Sequence, residues 1–339
     1  MRYPGWVRYV GAGALSLLLL IGNPVPSLAS TDDVTTEIRT LLQNQYANPL
    51  PPQALSENSI QAMLADLKDP YTLYMDKGKY KDFLDMLEMK FSGIGIYADI
   101  VPQGVLVTGT IPGSPAELAG LAKGDVIMDA DNHKLAGLLQ EEALGYLRRP
   151  EGSQADLTVL EGTDLKRVLV DRASISLPDV TGEVRDGHIG YLVINLFGQN
   201  TSADFKQEVL RLQGLKVDSW IVDLRNNPGG YLNTALDMAG YFIGPSGTVQ
   251  VRDKTGNTTL YSAQRQSFVL NQPMVFLTNE NTASAAEILS AAEQDRQKGI
   301  LVGTKTFGKG SVQGVFSLSG GGSAEDDRRA FLFSVGTHH

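Results

Sequence analysis

Cysteine is absent from the 339 residues, so a disulfide framework, a cysteine nucleophile and a thiolate metal site are all excluded. Histidine is scarce: there are four, and two of them, His338 and His339, end the chain. A histidine-based triad has little to work with, and His188 reads as a residue at the start of a strand. No His-Glu-x-x-His zinc signature occurs. Positive charge is also in deficit: 29 Lys and Arg against 38 Asp and Glu leave a net charge of -9. That balance argues against nucleic acid as a partner, because phosphate binding needs clustered Lys and Arg. What is present, 42% hydrophobic and 20% charged residues, is an ordinary globular composition with room for two or three domains.

The first thirty residues read as an address. Arg2 and Arg8 supply positive charge, residues 10–22 are apolar, and Ser27-Leu28-Ala29 fits a small-x-small cleavage site. The apolar stretch falls short of the roughly 20 residues of a spanning helix. The expectation is a signal peptide over residues 1–29, or an uncleaved anchor. The remainder would then be exported, to the periplasm, the extracellular space or the outer face of the cytoplasmic membrane. Residues 30–90 show helical periodicity in Val34, Ile38, Leu41 and Leu42, then in Ile60, Met63, Leu64 and Leu67. Asp69-Pro70-Tyr71 stops the second run, since proline disfavours helix at the residue before it. A small helical bundle or a dimerisation arm is expected here, with a homodimer formed through it.

Residues 91–173 turn to strands and tight turns. Gly93-Ile94-Gly95-Ile96 leads into a strand, Gly113-Ser114-Pro115-Ala116 into a short helix, and Gly124-Asp125-Val126-Ile127 into another strand. Leu138, Leu139, Ala143 and Leu147 share one face of a predicted helix. The order resembles a PDZ domain. That resemblance implies that the loop of Ser92, Gly93, Ile94 and Gly95 captures a C-terminal carboxylate on its backbone amides. The bound peptide would add as a strand beside Ile94 and Ile96.

From residue 174 onward strands and helices alternate, and Asp186-Gly187 predicts a hairpin turn. Trp220-Ile221-Val222-Asp223-Leu224 reads as a buried strand ending in Arg225-Asn226-Asn227-Pro228-Gly229-Gly230. Adjacent glycines let backbone N–H groups approach a ligand closely, as an oxyanion hole requires. In Asn281-Thr282-Ala283-Ser284-Ala285-Ala286-Glu287 and beyond, Ala285, Ile288, Leu289 and Ala292 have amphipathic-helix spacing. Ser284 therefore falls near a helix N-terminus, with Ala285 N–H oriented toward developing negative charge.

Downstream, Lys309 lies between two glycines. Residues 303–309 imitate the first seven positions of a P-loop, but Gly310 replaces the Ser or Thr that would hold magnesium. The following residues 311–318 alternate like a strand, whereas a P-loop must open a helix. As a base, Lys309 needs its pKa lowered by roughly 2 to 3 units, which burial can do. Phe307 and Val312 are the expected walls of its pocket. Gln313 is four positions on, so on a strand it shares the face of Lys309 and can orient the neutral amine without adding charge.

Three phrases in order resemble the core of the carboxyl-terminal processing proteases of the S41 family, also called tail-specific proteases. They are Asp223-Leu224-Arg225-Asn226-Asn227-Pro228-Gly229-Gly230, Thr282-Ala283-Ser284-Ala285-Ala286-Glu287 and Gly308-Lys309-Gly310-Ser311-Val312-Gln313. The resemblance implies an α/β (α+β multidomain) chain: a helical N-terminal arm, a PDZ domain and, over residues 174–339, a mixed α/β protease core of the ClpP/crotonase-like type. It assigns the nucleophile to Ser284, the general base to Lys309 and the lysine-orienting amide to Gln313. The oxyanion hole falls to Ala285 N–H with either Gly229 or Gly230. Implied substrates are proteins or peptides with apolar C-termini, with no metal and no organic cofactor.

The end of the chain departs from that pattern. Residues 320–329 do not read as core. Permitted codons for residues 325–333, read one nucleotide later, give Arg-Met-Thr-Ala-Ala-Arg-Phe-Tyr-Phe, closer to the family. Residues 320–339 are therefore expected to be atypical, through a frameshift near residues 320–324, with the core apparently truncated. A truncated core would leave a PDZ module that binds tails without cutting them.

Overall fold

The computed structural model describes residues 17–21, 34–318 and 329–338. Most of the expected signal peptide, its cleavage site and the 320–324 stretch lie outside the described residues. Among those described, Met89–Leu177 forms one compact unit and the rest of the chain a second. No helix of the described residues is long and apolar enough to cross a membrane.

The Met89–Leu177 unit is built on an antiparallel sheet in the order Ile96–Val101, Gly104–Thr110, Val126–Ala130, Gln154–Glu161, Asp164–Asp171. Period-two alternation decides which side chains face inward: Ala155, Leu157 and Val159 are buried along one strand. Pro115 opens the short helix Pro115–Leu118, where a missing N–H costs nothing, and Ser114 Oγ caps it by accepting Glu117 N–H at 3.3 Å. The second helix, Gln140–Leu147, buries Ala143, Leu144 and Leu147. Leu139, expected on that buried face, instead precedes the first helical residue and is 79% exposed.

The second unit contains two larger sheets. One runs Val180–Arg185, Ile189–Ile194, Ser219–Asp223, Met274–Thr278, Ile300–Gly303. Its opening pair is an antiparallel hairpin turned at Asp186 and Gly187, both at positive φ (48° and 77°), as a type I′ turn demands. The remaining pairings are parallel, and such strands are covered on both faces, which suits the apolar run Trp220-Ile221-Val222. Gly190 is registered against Trp220, and a Cβ there would come within 2.4 Å of the indole, so glycine makes the room for the ring. Helices Thr201–Gln213, Leu232–Ile243 and Ala285–Asp295 add Phe205, Phe242 and Leu289 to the same core.

The other sheet has the order Gly229–Tyr231, Leu17–Ile21, Ser311–Leu318, Arg329–His338, Gly247–Asp253, Thr258–Ser262, and Leu73–Met75 also pairs with Arg329–His338. Thus part of the stretch that reads as atypical in sequence forms a strand, antiparallel to Ser311–Leu318. The N-terminal helices Val34–Gln45 and Ile60–Leu67 bury Ile38, Leu42 and Met63 in one cluster with Phe316 and Leu318. Their periodic apolar face is therefore the face that docks on the strand following Lys309.

Candidate active site

Ser284 lies between the strand Met274–Thr278 and the helix Ala285–Asp295, and it is completely buried. Its backbone sits at φ 61°, ψ -116°, outside the usual basins of an L-residue. Such a conformation costs about 1–3 kcal/mol, and surrounding bonds must hold it. Asn226 N–H donates to Asn279 Oδ1 and Asn279 Nδ2 donates to Asn226 Oδ1, both at 2.9 Å. Thr282 Oγ1 donates to the Leu224 carbonyl at 2.8 Å, and Ala283 N–H to the Asn227 carbonyl at 2.9 Å. The serine turn is thereby stitched to the turn that follows Ser219–Asp223. Arg225 pairs with Asp223 at 2.6 Å, and the Tyr191 hydroxyl also donates to Asp223. Burial pushes the Asp223 carboxyl up, but these donors outweigh it and hold the group below its ordinary value. The Ser284 hydroxyl has no hydrogen-bond partner among the described residues.

Lys309 is 3% exposed, and burial pushes its ammonium down to about 7 against the opposing pull of Asp69 and Glu287. Its Nζ donates to Gln313 Oε1 and lies 4.6 Å from the centre of the Tyr71 ring. Gln313 is fully buried and donates through Nε2 to Ser311 Oγ at 2.9 Å, which turns its oxygen toward the amine. Val312 is buried as expected, whereas Phe307 is 53% exposed and does not wall the lysine. Residues 304–310 belong to no strand, so alternation does not set the direction of Phe307. Glu287 joins the two halves of the site. Its Oε2 accepts Ser284 N–H at 2.6 Å and Lys309 N–H at 3.0 Å, while Oε1 accepts Gly308 N–H at 2.7 Å.

The two glycines differ in what their amides face. Gly229 N–H donates to Asn227 Oδ1 at 2.9 Å, and the buried Asn227 is itself fixed by donating to the Ile194 carbonyl at 2.8 Å. Phe197 N–H donates to the Gly229 carbonyl and Tyr231 N–H to the Phe197 carbonyl. Strand alternation then turns Gly230 N–H to the opposite edge, where Leu18 is its register partner. Gly230 has φ +140°, and a Cβ there would lie 2.3 Å from the Phe197 carbonyl oxygen, so a side chain has no place. Ala285, fully buried, is the first residue of the helix.

In the Met89–Leu177 unit a groove is lined by Gly93, Ile94, Gly95, Ile96, Leu144 and Arg148, among others. It borders Ile96–Val101, the edge strand of the sheet. Gly95 has φ +85°, and a Cβ on it would collide with Ser114 Cβ at 2.3 Å. Ser92 stands apart from the others: it sits in the strand Lys90–Gly93, registered with Ser174, and its hydroxyl donates to the Arg149 carbonyl at 2.8 Å.

Three residues of the site carry no role in the sequence reading: Glu287, Asn227 and Tyr71. Glu287 was within reach, because Ser284 and Glu287 stand at the Ser-x-x-Glu spacing of a capping box. Asn227 was also within local reach, since an Asn can accept the N–H two residues on, here that of Gly229; Tyr71 acts on a partner distant in sequence, for which the chain holds no local signal.

Three stretches match known families: residues 32–79 the activating protease CtpB N-terminal domain, residues 106–161 a PDZ domain, and residues 188–336 peptidase family S41. A probable CtpA-like serine protease of Staphylococcus haemolyticus (strain JCSC1435) is 33% identical over 291 residues, 84% of this chain and 58% of that protein. Carboxyl-terminal-processing peptidase 2, chloroplastic, of Arabidopsis thaliana is 30% identical over 297 residues, 83% of this chain and 57% of that protein. The solved photosystem II D1 C-terminal processing protease superposes with a TM-score of 0.54 at 25% identity, over 90% of this chain and 87% of that one. Residues 188–336 thus belong to peptidase family S41 and residues 106–161 are a PDZ domain, in a chain similar to CtpA-like serine proteases and carboxyl-terminal-processing peptidases. It spans 57–58% of the length of the two curated relatives.

Proposed function

We propose that the chain is an exported serine endopeptidase that cuts proteins at or near apolar C-terminal tails, with Ser284 as nucleophile and Lys309 as general base. The observation that carries this reading is a nearly inaccessible lysine, lowered to about 7 and tied through Glu287 to a strained, buried serine. Neutral Lys309 takes the Ser284 hydroxyl proton as Oγ attacks the scissile carbonyl. The resulting ammonium protonates the leaving amine, and Lys309 then activates the water that releases the acyl group. Gln313 orients the amine. Ala285 N–H and Gly230 N–H hold the oxyanion, since Gly229 N–H is already committed to Asn227. An extended substrate would lie on the edge of Gly229–Tyr231 that Leu17–Ile21 occupies, and cleavage after Ala29 would clear it.

The groove beside Ile96–Val101 would take the tail as an added strand. A homodimer through the N-terminal helices would have to use faces other than those buried against Phe316 and Leu318. The test compares the chain with Ser284→Ala on a peptide ending in apolar residues, scored for both binding and cleavage. We expect cleavage by the first and binding alone by the second. Binding without cleavage by both would leave only a tail-binding module.

A further inference from the structure

The mechanism above leaves one neighbour of Lys309 without a role. Tyr71 belongs to the turn after the helix Ile60–Leu67, far from Lys309 in sequence, yet its ring centre is 4.6 Å from Nζ. That distance is within the roughly 6 Å over which a ring face attracts a cation. The turn is held by one carboxylate. Asp69 Oδ1 accepts Tyr71 N–H at 2.9 Å, while Oδ2 accepts the Thr72 hydroxyl at 2.8 Å and the Tyr46 hydroxyl at 3.1 Å. Thr72 is 4% exposed and Tyr46 is 3% exposed, so the turn is set into the N-terminal helical cluster rather than free on a surface.

We propose that Tyr71 is a positioning residue for Lys309, and that the Asp69 turn of the N-terminal region holds its ring against the amine as a neutral surface for the ammonium formed during acyl transfer. The chemistry requires such a surface. A buried lysine is a usable base because it is desolvated, yet it must become charged when it takes the serine proton. A carboxylate in contact would stabilise that charge so strongly that the amine would not be neutral to begin with. The Gln313 oxygen and the Tyr71 ring offer partial negative charge only, one as a dipole and one as a quadrupole. The carboxylates that act on Lys309, Asp69 and Glu287, are each committed to backbone or hydroxyl donors: Asp69 to its own turn, Glu287 to Ser284, Gly308 and Lys309 N–H. The N-terminal region would thus complete the site rather than merely pack beside it.

This inference rests on the Ser284–Lys309 chemistry proposed above, so its test reads Lys309 without requiring turnover. The full chain carrying Ser284→Ala is labelled with 13C-lysine, and the Lys309 Cε resonance, assigned by its loss in Lys309→Ala, is titrated with pH. Position 71 is occupied in turn by tyrosine, phenylalanine, progressively fluorinated phenylalanines and leucine. The fluorinated series keeps the ring shape while weakening its negative face, so it remains informative if Tyr71→Leu does not fold. We expect an unchanged midpoint for Tyr71→Phe and a stepwise fall with fluorination, reaching about one pH unit. A midpoint constant across the fluorinated series would overturn the proposal. A shifting midpoint, together with no cleavage by the chain that retains Ser284, would uphold it while removing the protease reading.

Discussion

At Lys309, burial and charge act in opposite directions. Burial brings the ammonium down to about 7, while Asp69 and Glu287 restrain the fall. Because a general base must be neutral, cleavage should rise about tenfold per pH unit below 7 and level off above it. A pH profile of kcat/KM checks this, and a plateau extending down to pH 5 would exclude Lys309 as the base. The same shift bears on stability. Lys309 in the folded chain binds fewer protons than in the unfolded chain between about pH 7 and its ordinary value near 10.4, so its contribution to stability rises with pH across that window. Below it the buried charge is a burden. Lys309→Met should therefore raise the denaturant midpoint at pH 6 while lowering cleavage by about 1,000-fold or more, a separation of stability from function.

The helix Ala285–Asp295 follows the proposed nucleophile, Ser284 at its N-cap, and has an unexplained carboxyl near its other end. Glu293 is fully buried, neither of its oxygens has a hydrogen-bond partner among the described residues, and burial pushes it up to about 8 with only slight relief from Lys298. In the folded chain it is a neutral acid near pH 7. Its folded value lies above the unfolded one, so stability that is complete below about pH 4.3 is lost as pH rises through 8. Glu293→Leu should raise the unfolding free energy at pH 8 by about 2 kcal/mol, seen as a higher denaturant midpoint, and flatten its pH dependence. An unchanged slope would place the pH sensitivity elsewhere. Lys309 gains its neutral form as pH rises past about 7, while the Glu293 contribution to stability falls up to about pH 8 and is constant above it, so the two carry opposite pH slopes between those values.

Across the whole molecule, the chain leaves one compact unit at Glu88 and returns to it at Pro178, with Met89–Leu177 inserted between. Leu73–Met75 pairs with Arg329–His338, and the N-terminal helices share a buried cluster with Phe316 and Leu318 of the strand that follows Lys309. The inserted unit should recognise tails by their free carboxylate. A peptide with an apolar C-terminus should bind and its amidated form should bind at least tenfold more weakly. Gly95→Ala, whose new Cβ would strike Ser114, should abolish both binding events. Calorimetric titration of the two peptides decides it, and equal affinities would remove the carboxylate from the recognition scheme.

The sequence by itself determined the elements and singled out the candidate reacting residues. Helical periods in residues 34–67, alternation in residues 154–160, the Asp186-Gly187 turn and the three glycine- and serine-containing phrases all depend on neighbours within a few positions, where spacing is a direct physical signal. Leu139 and Phe307 read wrongly because a helix start and an irregular loop release side chains from the period assumed for them. Tertiary structure alone decided the rest. It turned Gly230 N–H to the edge away from Phe197, tied Ser284 to Lys309 through Glu287, and brought Tyr71 over an amine 238 positions away. Those contacts join segments that no local pattern relates, and only closure of the core brings them within hydrogen-bond reach.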